Sequence, residues 1–251
     1  MKAVQAWILR NILQRLRVSS ACMGFEREKC IRDNAEPHAG AVAVLCLDIE
    51  DFFPSVRASQ VCNIFKAAGY SPRIAAMLAA ICTFRNRLPQ GGPCSPKLAN
   101  LVCLHLDLRL QGYVGKRGIV YTRYADDLTF SSYSVANLQK ALPTIRAIVR
   151  GEGFRLNSDK ERLRGPSVAR KVTGLVLSED GVGIGRAVLR ELRAKLHHLA
   201  AGSASTPADL AHVCGWLAFV KSVDKKRQET LAKYIVGLRK KYPGSSIEKL
   251  Q

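Results

Sequence analysis

The stretch Tyr121–Ser132, YTRYADDLTFSS, constrains this chain more than any other, because it sets two adjacent carboxylates, Asp126 and Asp127, between two strand-like runs. Residues 118–124 and 128–132 are rich in β-branched and aromatic types, so the Ala-Asp-Asp between them reads as the short connection of a hairpin with acids at its tip. Neighbouring carboxylates repel, and a shared hard divalent cation relieves them. Such a pair calls for a third acid. Asp48 supplies it, at the end of the apolar run Ala41–Leu47 (AVAVLCL), which has the length and composition of a strand buried on both faces. An acid at the mouth of a buried strand is costly unless it is paired or bound to metal. Asp48, Asp126 and Asp127 together are the set that two-metal phosphoryl transfer uses, one ion activating the attacking hydroxyl and the other steadying the leaving pyrophosphate.

Charge narrows the partner. Thirty-nine Lys and Arg against 20 Asp and Glu give +19 over 251 residues, which points to a polyanion and first of all to nucleic acid. The first 150 residues hold ten acids, five of them (Asp48, Glu50, Asp51, Asp126, Asp127) in two motifs, and none lies between Phe52 and Leu106. A basic surface with one acidic focus suits a polymerase or nuclease, whose phosphates need cations while its metals need carboxylates. A merely basic, ribosomal-type surface explains the charge but not the focus. With 47% hydrophobic and 24% charged residues the chain is long enough to bury a sizeable core, in one or two subdomains. The eight cysteines form no CxxC pair and sit mostly in apolar runs, as reduced core residues of a cytoplasmic protein do. No apolar run reaches the ~18 residues of a membrane span. The acid-free N-terminus imitates a presequence, but Trp7, Ile8, Leu9, Ile12, Leu13 and Leu16 fall at the spacing of a packed amphipathic helix over residues 1–17.

Further along, helices are expected at roughly 59–68, ending at Gly69, and from Ser71-Pro72 to about Cys82. In the next, Ser95 caps and Pro96 opens a helix whose apolar face includes His105 and which stops at Gly112. Val135–Arg150 reads as a helix with Pro143 near its first turns, and 153–160 and 171–177 as short strands flanking a basic loop with Arg162 and Arg164. Helices at about 186–200, 206–221 and 225–241 then form a basic module after an α+β middle.

Taken in order, LDIEDFFPSV (47–56), QGGPCSPKLAN (90–100), YADD (124–127), GFRLNSDK (153–160) and VTGL (172–175) resemble consecutive motifs of reverse transcriptases. NAEPH at 34–38 and VTG at 172–174 are similar to the two signatures of the retron group, with group II intron enzymes the nearest alternative. The resemblance covers nearly the whole chain. It implies a polymerase palm with an antiparallel sheet and flanking helices over 48–183, partial fingers over 1–47 and a helical thumb over 184–251. The family carries a fingers segment, with cations that grip the incoming triphosphate, upstream of the helix with which this sequence opens, so the chain is expected to hold only part of the fingers.

The resemblance further implies RNA-directed DNA synthesis in the bacterial cytoplasm. Asp48, Asp126 and Asp127 would hold two Mg²⁺ ions, with Mn²⁺ as the alternative, and the partners would be dNTPs, an RNA–DNA duplex and a cognate structured non-coding RNA. Enzymes of this group prime from an internal 2′-hydroxyl, leave branched RNA-linked DNA, and act with an effector protein in antiphage defence. Lys160 would protonate departing pyrophosphate or meet a phosphate, and Phe53 would exclude a ribose 2′-hydroxyl while Phe52 packs inside. Gln90 and Gly91 would touch template and nucleotide. Asn34, His38, Val172, Thr173 and Gly174 would contact RNA, with a structural role equally open for Asn34 and His38. Lys225, Lys226 and Arg227 would meet backbone phosphates, while Trp216 and Tyr234 pack within the helical module and His197 and His198 mark no site. Two competing readings are an RNA-binding subunit crippled in catalysis and a metal nuclease; the second leaves QGGPCSP and Phe53 unexplained.

Overall fold

The apolar run before Asp48 becomes an interior strand of a four-stranded antiparallel sheet in the computed structural model, which describes residues 1–179, 181–202 and 206–249. In chain order come α1 (Lys2–Asn11), the short α2 (Ile31–Ala35), β1 (Ala43–Asp48), α3 (Phe52–Ser55), α4 (Ala58–Ala67), α5 (Pro72–Cys82), α6 (Ser95–Val102) and α7 (Leu104–Gly115). Next are β2 (Val120–Tyr124), β3 (Asp127–Ser132), α8 (Val135–Gly151), β4 (Arg162–Arg164), β5 (Lys171–Val172), β6 (Leu175–Ser178) and β7 (Gly181–Gly183). Three helices follow, α9 (Gly185–Ala200), α10 (Pro207–Val223) and α11 (Lys225–Lys241).

The main sheet runs β2-β3-β1-β4. Side chains alternate across a strand, so β1 feeds two cores. Ala43, Leu45 and Leu47 point into one built with α4 to α8, while Val44 joins Ala35, β5, β6 and the three C-terminal helices in the other. That double burial is why the run reads as continuously apolar even though its neighbours are antiparallel. The second core takes in Val172, Leu175 and Leu177, so the small sheet β5-β6-β7 packs with the helices that follow it. None of the described helices is long and apolar enough to cross a membrane.

Several local expectations are corrected. The basic loop at 162–164 is β4: it pairs with β1 from Cys46↔Arg162 to Val44↔Arg164, and its two arginines flank one leucine, a charged edge that discourages further pairing. Residues 153–160 supply no strand; only Leu156 bridges to Ile49, and Ser158–Lys160 is a 3-10 turn. The run 171–177 is a hairpin rather than one strand, turning at Thr173 and Gly174, both at positive φ (45° and 86°). Of the expected N-terminal apolar face only Ile8 and Leu13 are buried, Trp7 is exposed, and regular helix ends at Asn11. A break at Cys103 divides the helix expected after Ser95 and resets its phase, so α7 runs past Gly112 to Gly115. His105 consequently faces solvent and pairs with Glu152 at 2.9 Å, instead of packing on the apolar face. Ser95 does not cap: its hydroxyl donates to the Pro89 carbonyl at 2.7 Å. Pro143 stands in the middle of α8, on its exposed side.

Candidate active site

Strand pairing sets the acids. The β1–β3 ladder ends with Asp48 opposite Asp127, and β2–β3 ends with Tyr124 opposite Asp127, which leaves Ala125 and Asp126 as a two-residue turn. Ala125 adopts φ +58°, a left-handed value that a turn this tight needs at its first position. Three backbone bonds hold the surroundings. Ile49 N donates to the Asp126 carbonyl at 3.0 Å, Asn157 N to the Asp48 carbonyl at 2.9 Å, and Glu50 N to the Arg155 carbonyl at 2.9 Å. The segment 153–160 is thereby pinned beside β1, and Lys160 places its ammonium 3.0 Å from each oxygen of Asp48.

The electrostatics follow from this crowding. Burial, then Asp126 and Asp48, push the Asp127 carboxyl up to about 6, with Lys160 opposing. Burial likewise raises Asp126, with Asp48 adding to it. The bond to Asp48 raises Lys160, so its ammonium stays charged. Among the described residues no three acidic, histidine or cysteine side chains close on a common point, and Asp48 is paired with Lys160. The donor set nevertheless suits a hard divalent cation: Asp48 and Asp127 stand opposite each other at the ends of adjacent strands with Asp126 beside them in the turn, and two of the three carry the raised proton affinity that a bound cation relieves.

The other expected site residues divide by burial. Phe53 is half-buried, its ring 5.4 Å from Phe52 and 6.1 Å from the exposed Phe25, on a short helix packed against α6. Gln90 and Gly91 are exposed in the loop leading into α6, with Gly91 at φ +79°. Asn34 and His38, by contrast, are fully buried, which favours the structural role for both. His38 bridges the Ser131 hydroxyl (2.6 Å) and the Thr122 hydroxyl (2.8 Å) beneath the sheet, while the Asn34 side-chain amide has no protein partner. Val172 lies in the second core, and the Thr173–Gly174 turn is tied to α2 by a hydrogen bond from the Thr173 hydroxyl to the Ile31 carbonyl at 3.2 Å. Lys225 and Lys226 are exposed, whereas Arg227 is partly buried and paired with Asp224 at 3.3 Å. Trp216 and Tyr234 pack against the second core, as expected. Beyond the acids lies a cleft of about 680 Å³, lined by Glu50, Asp51, Arg57, Arg87 and Arg155 among others, and none of the three aspartates lines it.

Sequence reasoning passed over Arg123 and Asp107, a buried ion pair behind the hairpin. A signal was available, since Arg123 shares a strand face with Tyr121 and Asp107 sits within an apolar helical run.

The family described as reverse transcriptase (RNA-dependent DNA polymerase) matches residues 1–176. The chain is 49% identical over 249 residues to the retron Ec86 reverse transcriptase of Escherichia coli, covering 99% of this chain and 77% of that protein. To the retron Mx65 reverse transcriptase of Myxococcus xanthus it is 38% identical over 251 residues, covering 93% of this chain and 58% of that one. A solved telomerase from Candida albicans, in complex with a telomeric RNA fragment, is similar at a TM-score of 0.48 and 11% identity, over 93% of this chain and 47% of its own.

Proposed function

Since this chain belongs to the reverse transcriptases, and among them to the retron type, which are RNA-directed DNA polymerases, we propose that it extends DNA on an RNA template at the end of the β1–β3 ladder. The observation that carries this is the pairing of Asp48 with Asp127 across two strands, with Asp126 beside them at the turn. Those three carboxylates would hold divalent cations, Mg²⁺ or Mn²⁺, whose chemistry is Lewis-acid activation of the attacking hydroxyl and charge neutralisation at the departing pyrophosphate.

The chain's own residues do the rest. Lys160, protonated and exposed at the edge of the acids, leaves Asp48 to meet phosphate or to donate a proton to the leaving group. Phe53, backed by Phe52, sets a wall against a ribose 2′-hydroxyl. Gln90 and Gly91 let a nucleotide or template strand come close to backbone, and Arg57, Arg87 and Arg155 line the neighbouring cleft with cations suited to phosphate. Residues 48–183 act as palm and 184–251 as thumb, with β5 to β7 packed against the thumb. Lys225 and Lys226 grip backbone phosphates of a cognate structured RNA and its duplex with DNA, and the exposed edge of the Thr173–Gly174 turn faces the same partner. In that setting the product is branched RNA-linked DNA, and an effector protein uses it in antiphage defence.

Primer extension on an RNA template with Mg²⁺ or Mn²⁺ tests the core of this reading. The parent chain is expected to make cDNA and Asp127→Asn to reduce it to background. No cDNA from the parent, or equal synthesis by the variant, would sink it; tight RNA binding without extension would favour a subunit that only binds RNA.

A further inference from the structure

Behind the acidic turn lies a polar network that the polymerase reading leaves unused. Arg123 heads the fully buried side chains in size among the described residues, at 0% exposure. Its Nε and Nη2 donate to the two oxygens of Asp107, each at 2.8 Å. Its Nη1 donates to Asn100 Oδ1 at 3.0 Å and to the Ala125 carbonyl at 3.1 Å. Asp107 also accepts from the Tyr121 hydroxyl at 2.8 Å. Asn100 reaches on to the Gly24 carbonyl at 2.8 Å and to Glu26 at 3.0 Å, and Glu26 pairs with Lys97 at 2.7 Å. Gly24 lies flat against the turn: a Cβ added there would stand 2.6 Å from Ala125 N.

Stability alone does not account for such a network. Replacing a buried ion pair by apolar side chains of similar volume is often neutral or favourable, because desolvation offsets the attraction. What a guanidinium adds is a donor aimed at the Ala125 carbonyl. Ala125 holds φ +58°, a conformation that is strained for a non-glycine residue and persists only where its surroundings over-determine it. From the other side, Ile49 N fixes the next carbonyl, that of Asp126. The Arg123 guanidinium bonds to the backbone that carries the aspartates, at the Ala125 carbonyl, and its carboxylate partner is Asp107.

We propose that Arg123, braced by Asp107 and Asn100, is a positioning residue: it locks the Ala125–Asp126 turn and so sets the spacing of Asp48, Asp126 and Asp127 at which a divalent cation binds. This rests on the proposed polymerase site. Two substitutions reach the turn by different routes. Arg123→Lys keeps a charge opposite Asp107, but one ammonium cannot span both Asp107 oxygens and the turn. Gly24→Ala pushes on Ala125 N without touching any charge.

The measurement is Mn²⁺ binding followed by electron paramagnetic resonance, with Mg²⁺-dependent primer extension beside it. Asp127→Asn marks the site, and Leu196→Ala, in the second core, controls for lost stability. Both turn variants are expected to bind Mn²⁺ about tenfold more weakly and to lose about tenfold in kcat with KM for dNTP little changed, as removal of groups that orient metal ligands does. The Leu196→Ala variant is expected to bind Mn²⁺ as the parent does. Parent-like Mn²⁺ binding in folded Arg123→Lys and Gly24→Ala overturns the proposal. So does failure of both to fold, which would make the network purely structural. Parent Mn²⁺ binding that depends on Asp127 but supports no extension would defeat the polymerase reading alone; Mn²⁺ binding indifferent to Asp127→Asn would defeat both.

Discussion

His38 and Lys160 show how a residue's surroundings decide its role. Burial alone lowers His38 to about 4 from the usual 6.5, so the folded chain keeps the ring neutral between its two hydroxyl partners. An unfolded chain takes up that proton near pH 6.5, so the His38 contribution is complete above this value and is lost as pH drops towards 4, by about 3 kcal/mol at most, while the raised Asp127 acts in the opposite sense over the same range. Urea unfolding between these limits should display the slope, and His38→Gln should flatten it; an unchanged slope would remove His38 as its source. Lys160 occupies both Asp48 oxygens, so a cation held by Asp48 at the proposed site would have to displace it. Lys160→Met is therefore expected to lower the metal concentration giving half-maximal extension while reducing kcat by about 10²-fold, the size of a general-acid contribution. An unaltered kcat would leave the lysine as a counter-ion only.

Between elements, Asp224 is the joint of the helical module. Buried between α10 and α11, it accepts from Arg227 N at 3.1 Å as the cap of α11 and from Ile184 N at 3.2 Å, and it pairs with the Arg227 side chain. One carboxylate thus ties the end of the small sheet to two helices. Asp224→Ala should cost about 2 kcal/mol, a lost cap plus an orphaned buried donor, measured as a shift in urea midpoint. A loss within error would show that water replaces the carboxylate. Helix positions in this module were legible in the sequence, at about 186–200, 206–221 and 225–241 against the observed Gly185–Ala200, Pro207–Val223 and Lys225–Lys241. Strand positions at 153–177 were not, since β4 exists only because β1 offers it an open edge, and the turn at Thr173–Gly174 requires positive φ at a β-branched residue. Local preference argued against both.

For the whole molecule, charge and layering matter most. With +19 spread around one acidic focus, RNA binding should depend steeply on salt. If six or more phosphates are neutralised, affinity should fall by about 10³-fold between about 50 and 200 mM salt, read from filter binding or anisotropy. A shallow dependence would mean that recognition rests on few phosphate contacts. The two cores meet at one sheet, with Leu45 and Val44 facing opposite ways from neighbouring positions. The C-terminal helices and the strands that carry the acids therefore share β1, the strand that ends in Asp48.

By itself the sequence picked out three acids that strand pairing brings to one end of the sheet, placed most helices and showed a strongly basic charge suited to a polyanion, because side-chain chemistry, caps and periodicity are local properties. Only the tertiary structure decided that Asp48 stands opposite Asp127, that His38 and Asn34 lie out of a ligand's reach, that His105 faces water, and that Arg123 braces the turn. Each of these depends on strand register or on which face another segment covers, and such contacts join residues far apart in the chain.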